Sequence, residues 1–263
     1  MRSDELRRVT AFLSGFARRQ AERTLRLPGG FAVFDDRFAD SWSHNQVVVE
    51  RAAVEPAALP GLVDEAMGER PFRIVSVLDD GFGRACAEHL LRAGYRHSTY
   101  LVMLHTAPAP GPPADGGRAV GEVDLEAIRE PLAASWRIAL PQAGEEVVRM
   151  LVDRHATRHR GAEQVRLLGA RARNGDVAAW TDLYLEPGLG IAQIEDLMTA
   201  VDHRRRGHAD AVLTAALRRA ADAGCGTRFL TADADDWPRH WYGRRGFTVI
   251  GRCHGFERVT APS

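Results

Sequence analysis

The residues best suited to chemistry lie together between Ile191 and Ala220, in IAQIEDLMTAVDHRRRGHADAVLTAALRRA. An apolar strand pattern runs into a turn made of Arg204, Arg205, Arg206, Gly207, His208 and Ala209, and an amphipathic helix pattern opens directly from it. The first N–H groups of a helix have no carbonyl behind them and carry partial positive charge, so an anion settles there. Gly207 lets the backbone come close to that anion, small Ala209 keeps the approach open, and three guanidiniums add charge at the mouth. The pattern suits a pyrophosphate; its bland counterpart is a basic, solvated helix start. A G-x-x-x-x-G-K-[ST] loop is excluded, since all 35 basic residues are arginine and lysine is absent. A dinucleotide fingerprint needs three glycines where this turn has one.

Two further side chains could move protons. Glu195, on the strand before the turn, could take a proton from a nucleophile through water, or hold a substrate ammonium. The period of two puts Gln193 on its face and Asp196 on the opposite one, which makes Asp196 the weaker candidate. Tyr242, in DDWPRHWYGRRGF (Asp235–Phe247), has a phenol able to protonate a leaving group, with a plain packing role as the alternative. His203 and His208 flank the turn as phosphate or solvent neighbours, and no spacing in the chain suits a metal. A nucleophile elbow is missing and no cysteine stands in a catalytic context.

The elements that must position these groups follow from periodicity. After a Pro-Gly-rich segment, Ala107–Gly117, the pattern reads strand 118–123, helix 125–136, helix 145–159, strand 165–172, an Asn174-Gly175 turn, strand 177–185, strand 191–201, helix 207–223, strand 227–232, helix 237–244 and strand 247–253. Before it come an amphipathic helix carrying Leu6, Val9, Phe12, Leu13 and Phe16, then strands at 31–34 and 46–50, helix 57–67, strand 73–78, helix 82–92 and strand 100–104. This is an α/β class chain with a mixed sheet.

Arg204 to Ala209 resembles the R/Q-x-x-G-x-G/A signature of the GNAT acyltransferases, in the family's order of strand, turn and helix. Tyr242, Gly246 and Phe247 are similar to the family's downstream N-x-x-A-x-x-L-Y-x-x-x-G-F pattern. Thr199, Val201, Asp235 and Pro238 depart from it, standing where an apolar residue, proline, asparagine and alanine are usual. The resemblance covers about Arg118 to Val259. It implies an acyl-CoA N-acyltransferase fold and transfer of an acetyl group from acetyl-CoA to a small-molecule, peptide or protein amine. Backbone groups of Leu197, Met198 and Thr199 would then pair with the pantetheine arm, those of Arg204, Arg205, Arg206, Gly207, His208 and Ala209 would hold the pyrophosphate, and Tyr242 would protonate the thiolate. Relatives often carry the strand glutamate two residues earlier, where this chain has Gln193. A non-catalytic acyl-CoA sensor would keep the cradle without needing Tyr242 or Glu195.

The domain expectation is a degenerate GNAT-like lobe over 1–106, a linker at 107–117 and the acetyltransferase domain over 118–263. HLLRAGY (His89–Tyr95) can be laid on WYGRRGF (Trp241–Phe247), with Gly94 on Gly246 and Leu90 where the tyrosine would stand. The first lobe thus lacks cradle and acid, and either shapes an acceptor cleft or holds a homodimer. Trp42, Phe31, Phe34 and Phe38 fit its core better than a cleft lining. Acidic and basic residues balance at 35 each, which argues against an overall grip on nucleic acid or a charged membrane. Exclusive use of arginine reads as the codon composition of a GC-rich bacterial genome. Three cysteines without C-x-x-C spacing, no signal-peptide pattern and no apolar run of membrane-span length predict a cytoplasmic protein with reduced thiols and no metal.

Overall fold

The computed structural model describes residues 2–111 and 119–259. In chain order the elements are α1 (Arg2–Gln20), β1 (Arg23–Leu27), β2 (Gly30–Phe34), β3 (Gln46–Val49), α2 (Leu59–Met67), β4 (Phe72–Val77), α3 (Asp80–Arg92), β5 (Arg96–His105), β6 (Val120–Glu122), α4 (Leu125–Ala139), α5 (Glu145–Asp153), β7 (Gln164–Arg171), β8 (Val177–Glu186), β9 (Ile191–Thr199), α6 (His208–Asp222), β10 (Thr227–Asp233), α7 (Pro238–Gly243) and β11 (Phe247–Val259). They form two compact units, one of Met1–Leu104 with Thr231–Ser263 and one of His105–Leu230. The first break falls just ahead of the Pro-Gly-rich segment. Of the expected linker, 107–111 has no regular structure and 112–117 lie outside the described residues.

In the first unit the strand order is β1-β2-β3-β4-β11-β5. Within it β3 and β4 pair in parallel, from Val47↔Val75 to Val49↔Val77. The sequence pattern ends the last strand at Cys253, but β11 runs on to Val259 and pairs antiparallel with β4 from His254↔Val77 to Val259↔Phe72. The cause is alternation: Phe256 points into a core shared with Val75, Val77, Leu59, Val63, Phe82 and Leu90, while His254 is buried against Asp80, Nε2 to Oδ1 3.0 Å, and against His97, Nδ1 to Nε2 2.9 Å. Residues 231–259 are therefore packed in this unit. Phe31 and Phe34 are core as expected, and Trp42 packs on Phe72 at 6.4 Å. The β1 strand escapes periodicity because RTLRL lies almost wholly exposed on the edge. Gly94 and Gly246 both sit at left-handed φ, 83° and 85°, and each is followed by a buried aromatic, Tyr95 and Phe247. A side chain at either glycine would strain that helix stop.

In the second unit β6, β7, β8 and β9 form consecutive antiparallel neighbours, and β10 joins β9 in parallel from Thr227↔Ile191 to Phe229↔Gln193. On one face Trp180, Leu167 and Met198 pack with Ile128, Leu132, Val148 and Val152 of α4 and α5. By alternation Leu168, Leu183 and Leu185 point the other way and are fully buried. That face is covered by α6, whose buried stripe is Val212, Leu213, Ala216, Leu217 and Ala220 and which contacts β7, β8 and β9. Truncating Leu183 to alanine is expected to cost about 2–5 kcal/mol, read as a lower denaturation midpoint in urea. The second expected helix, 145–159, breaks at Asp153; Arg154–Arg160 continues as a 3-10 helix. Conversely α4 continues through Pro131 to Ala139.

Candidate active site

The turn after β9 has the backbone a close-approaching anion needs. Arg205 and Gly207 are both left-handed, φ 59° and 77°, and Gly207 is the N-cap of α6. As a glycine, this N-cap residue offers no side-chain acceptor of the kind that Ser, Thr, Asp or Asn would give. Arg204, Arg205, Arg206 and Gly207 are exposed. One acid, Asp210, stands in the first turn. The His208 side chain, expected from sequence as a phosphate or solvent neighbour, is buried away from solvent and packs edge-on against His203, ring centroids 5.9 Å apart. Beside the turn, a cleft of about 560 Å³ is lined by Glu130 and Ser135 of α4, Arg171 and Asp176 of the β7–β8 hairpin, and Asp202 and His203.

The carboxylates lie on β9 where its ladder breaks. Asp182 of β8 faces Glu195 and Trp180 faces Met198, so β9 holds one residue more than β8 between these pairs. Such a bulge twists the strand and re-aims a side chain. Asp196 takes the strain, at φ 48°. Thr181 Oγ1 donates to the Glu195 carbonyl at 2.7 Å and helps hold the bulge. The alternation that sends Asp196 to the opposite face fails here. One guanidinium, Arg158, donates to Asp182 through Nη1 and to Asp196 through Nη2, the latter at 2.5 Å. His155 Nε2 lies 3.0 Å from the same Asp182 oxygen, Oδ2. Gln193 Nε2 donates to Glu195 Oε2 at 2.5 Å, as two residues on one face can.

Electrostatics separates the two neighbouring acids. Burial, reinforced by the negative charge of Asp196, pushes the Glu195 carboxyl up to about 8. At Asp196 burial works the same way but is overcome by Arg158, which holds that carboxyl below the usual range. Arg158 stays charged: burial opposes its charge, and Tyr184, Asp196 and Asp182 together outweigh it. Burial, then the charge on Arg158, brings Arg154 down to about 10. Burial also drives the Tyr184 phenol well above its ordinary value. A half-buried carboxyl that ionises near neutrality is suited to accept a proton.

The structure thus brings Glu195, Leu197, Met198, Thr199 and Arg204–Ala209 into one compact unit. Tyr242 lies on α7 in the other unit, half-buried, its ring 5.7 Å from that of Phe247. Sequence reading passed over His155, Arg158, Asp182 and Tyr184. The signal existed: reflecting the chain about the Gly188-Leu189 bond, inside the turn that follows Glu186, sets Tyr184 opposite Gln193 and Asp182 opposite Glu195, the observed register. All three cysteines are free and buried. Among the described residues no helix is long and apolar enough to cross a membrane, and no group of three or more His, Cys, Asp or Glu is placed to hold a metal.

Residues 126–247 match the Acetyltransferase (GNAT) family. No curated protein matches the chain. Among solved structures it is similar to a conserved protein of unknown function from Staphylococcus epidermidis, with 12% identity, TM-score 0.68, and 91% of this chain and 94% of that one covered. It is also similar to a GCN5-related N-acetyltransferase from Kribbella flavida, with 17% identity, TM-score 0.62 and coverage of 97% and 96%. A third, a GCN5-related N-acetyltransferase from Sphaerobacter thermophilus, has 18% identity, TM-score 0.56 and coverage of 89% and 78%. The matched segment begins in α4 and ends at the first residue of β11, so it holds both signatures read from the sequence. Residues 126–247 thus belong to the GNAT acetyltransferase superfamily, and the chain has the acyl-CoA N-acyltransferase fold.

Proposed function

We propose that the protein is an N-acetyltransferase that transfers the acetyl group of acetyl-CoA to an amine on a small molecule or a peptide by direct attack. The observation that carries this reading is the glycine-capped start of α6 behind the left-handed Arg205 and Gly207, in the same compact unit as a carboxyl that ionises near neutrality. That backbone fits a pyrophosphate: no Cβ stands at Gly207, and three exposed guanidiniums surround it. The residues from Arg204 to Ala209 hold the diphosphate, and backbone groups of Leu197, Met198 and Thr199 hold the pantetheine arm. When bound, acetyl-CoA supplies an activated acyl group as a thioester. Glu195 takes the proton of the acceptor ammonium, directly or through water, and leaves the amine nucleophilic. Tyr242 supplies a proton to the departing sulfur, an assignment that stands on its motif. The buried, free thiols accord with a cytoplasmic setting.

The test is release of free CoA from acetyl-CoA across a panel of diamines, aminoglycosides, amino acids and peptides. Turnover with at least one amine is the expected result. Absence of turnover despite tight acetyl-CoA binding would favour a sensor. For Tyr242→Phe, kcat is expected to fall about 100-fold or more with acetyl-CoA affinity unchanged; unaltered kcat would remove Tyr242 from the reaction.

A further inference from the structure

The buried charge cluster on the Glu195 side of β8 and β9 contains a residue that no family signature assigns. Arg158 is on the 3-10 segment after α5, its side chain only 15% exposed. It spends its fork on two acids that are far from equivalent. Asp182 is 1% exposed and stands on β8 at the edge of the register shift, whereas Asp196 is 45% exposed and sits on the strained bulge of β9. Asp182 has a second holder, His155, on the same oxygen, while its other oxygen, Oδ1, has no hydrogen-bond partner among the described residues. The guanidinium is therefore anchored on the buried, doubly held Asp182 and reaches from there to the bulge. Glu195 lies between these contacts, directly opposite Asp182 and next to Asp196 in the chain.

We propose that Arg158 is the positioning residue of this site: anchored by Asp182, it grips Asp196 at the bulge of β9 and so fixes the place and the electrostatic surroundings of Glu195. The proposal rests on the acetyltransferase reading for its meaning in catalysis. A planar fork suits the task because its donors hold two carboxylates in a fixed relative geometry, whereas an ammonium is a point charge on a flexible stem. The groups facing Glu195 are Gln193 and Asp196 on its own strand, Asp182 and Tyr184 on β8, and Arg158 with its neighbours Arg154 and His155 on the helical segment. Within this set Arg158 favours the ionised form of Glu195, and Asp196 and Asp182 disfavour it. Loss of Arg158 and loss of the Asp196 charge must consequently act on Glu195 in opposite directions. A merely structural role has no such sign.

The experiment follows Glu195 itself, by carboxyl 13C NMR titration of the full chain labelled at glutamate, with the signal assigned through Glu195→Gln. In Arg158→Gln the midpoint is expected to rise by about one pH unit, and in Asp196→Asn to fall by about as much. Arg158→Lys keeps a charge but loses the fork, so its midpoint stays near that of the wild type while kcat drops and the KM for acetyl-CoA holds. Should Arg158→Gln fail to fold, Asp196→Asn and Arg158→Lys still decide the matter: an unmoved midpoint in the first, or an unchanged kcat in the second, overturns the proposal. Midpoints that stay put in both charge variants, or that move in the same direction, overturn the proposal. The titration needs no turnover, so a protein that shows these shifts but transfers no acetyl group would sink the acetyltransferase reading and leave the assignment of Arg158 standing.

Discussion

Gly207→Glu is expected to weaken acetyl-CoA binding by about 100-fold or more, the sum of a backbone and a charge effect. At φ 77° Gly207 occupies a region where an L side chain costs about 1–2 kcal/mol. The new carboxylate then stands where the diphosphate should lie, and two like charges about 4 Å apart at a partly solvated site repel by several kcal/mol (roughly 4 at an effective dielectric of 20). Even half of that, added to the strain, exceeds the roughly 2.7 kcal/mol that corresponds to 100-fold. Gly207→Ala separates the two contributions, since it carries only the strain and should lose about 5- to 30-fold. Calorimetric titration with acetyl-CoA, with circular dichroism to confirm the fold, gives both numbers. A glutamate variant that binds as tightly as the wild type would place the diphosphate elsewhere and remove the basis for the cradle.

Glu195→Gln should be the most damaging change that leaves acetyl-CoA binding intact, lowering kcat/KM for the amine by about 100- to 10,000-fold. The pH profile supplies a second signature. A base works only when ionised, and Glu195 is pushed up to about 8, so in the wild type the rate climbs with pH and levels off above that value. Below it, each unit of pH costs about tenfold. The glutamine variant has no such limb. Persistence of the limb in Glu195→Gln would assign it to the acceptor ammonium or to another group. The same elevation has a counterpart in stability: neutral Glu195 favours the fold below its ordinary value of 4.5, and that contribution is lost as pH rises through about 8.

The glycine turn ahead of α6 was legible because it is local. A strand, a turn with one glycine and a helix are contiguous in sequence, and the left-handed Gly207 is what an isolated glycine before a helix foretells. The same holds for the stops at Gly94 and Gly246. The carboxylate cluster was legible only in part. Glu195 stands out as a charge in an apolar strand, but period-two counting fails one residue later, because a bulge inserts a residue and returns Asp196 to the side of Arg158. Bulges have no strong sequence mark when the strained residue is an aspartate. Arg158 was hidden for another reason. It lies in HATRHRG, where every second residue or so is basic, and only the two-fold tertiary pairing with Asp182 and Asp196 distinguishes it from the other basic residues there. The extent of β11 was missed because a thirteen-residue strand with glycines at 251 and 255 reads as interrupted, whereas cross-strand partners on β4 keep it continuous.

The position of β11 also sets the order in which this protein can assemble on the ribosome. The second unit, His105–Leu230, is contiguous and can fold as soon as it emerges. The first unit, although its synthesis starts earlier, lacks the strand that belongs between β4 and β5 until Phe247–Val259 has been made. Folding is therefore completed in the reverse of the order of synthesis. Throughout that interval β4, with the sequence FRIVSV, offers an unpaired and strongly apolar edge, the kind that recruits other chains. A nascent chain stalled or cut after the second unit would be expected to aggregate through β4, and a chaperone that shields short apolar strands would have its binding site there.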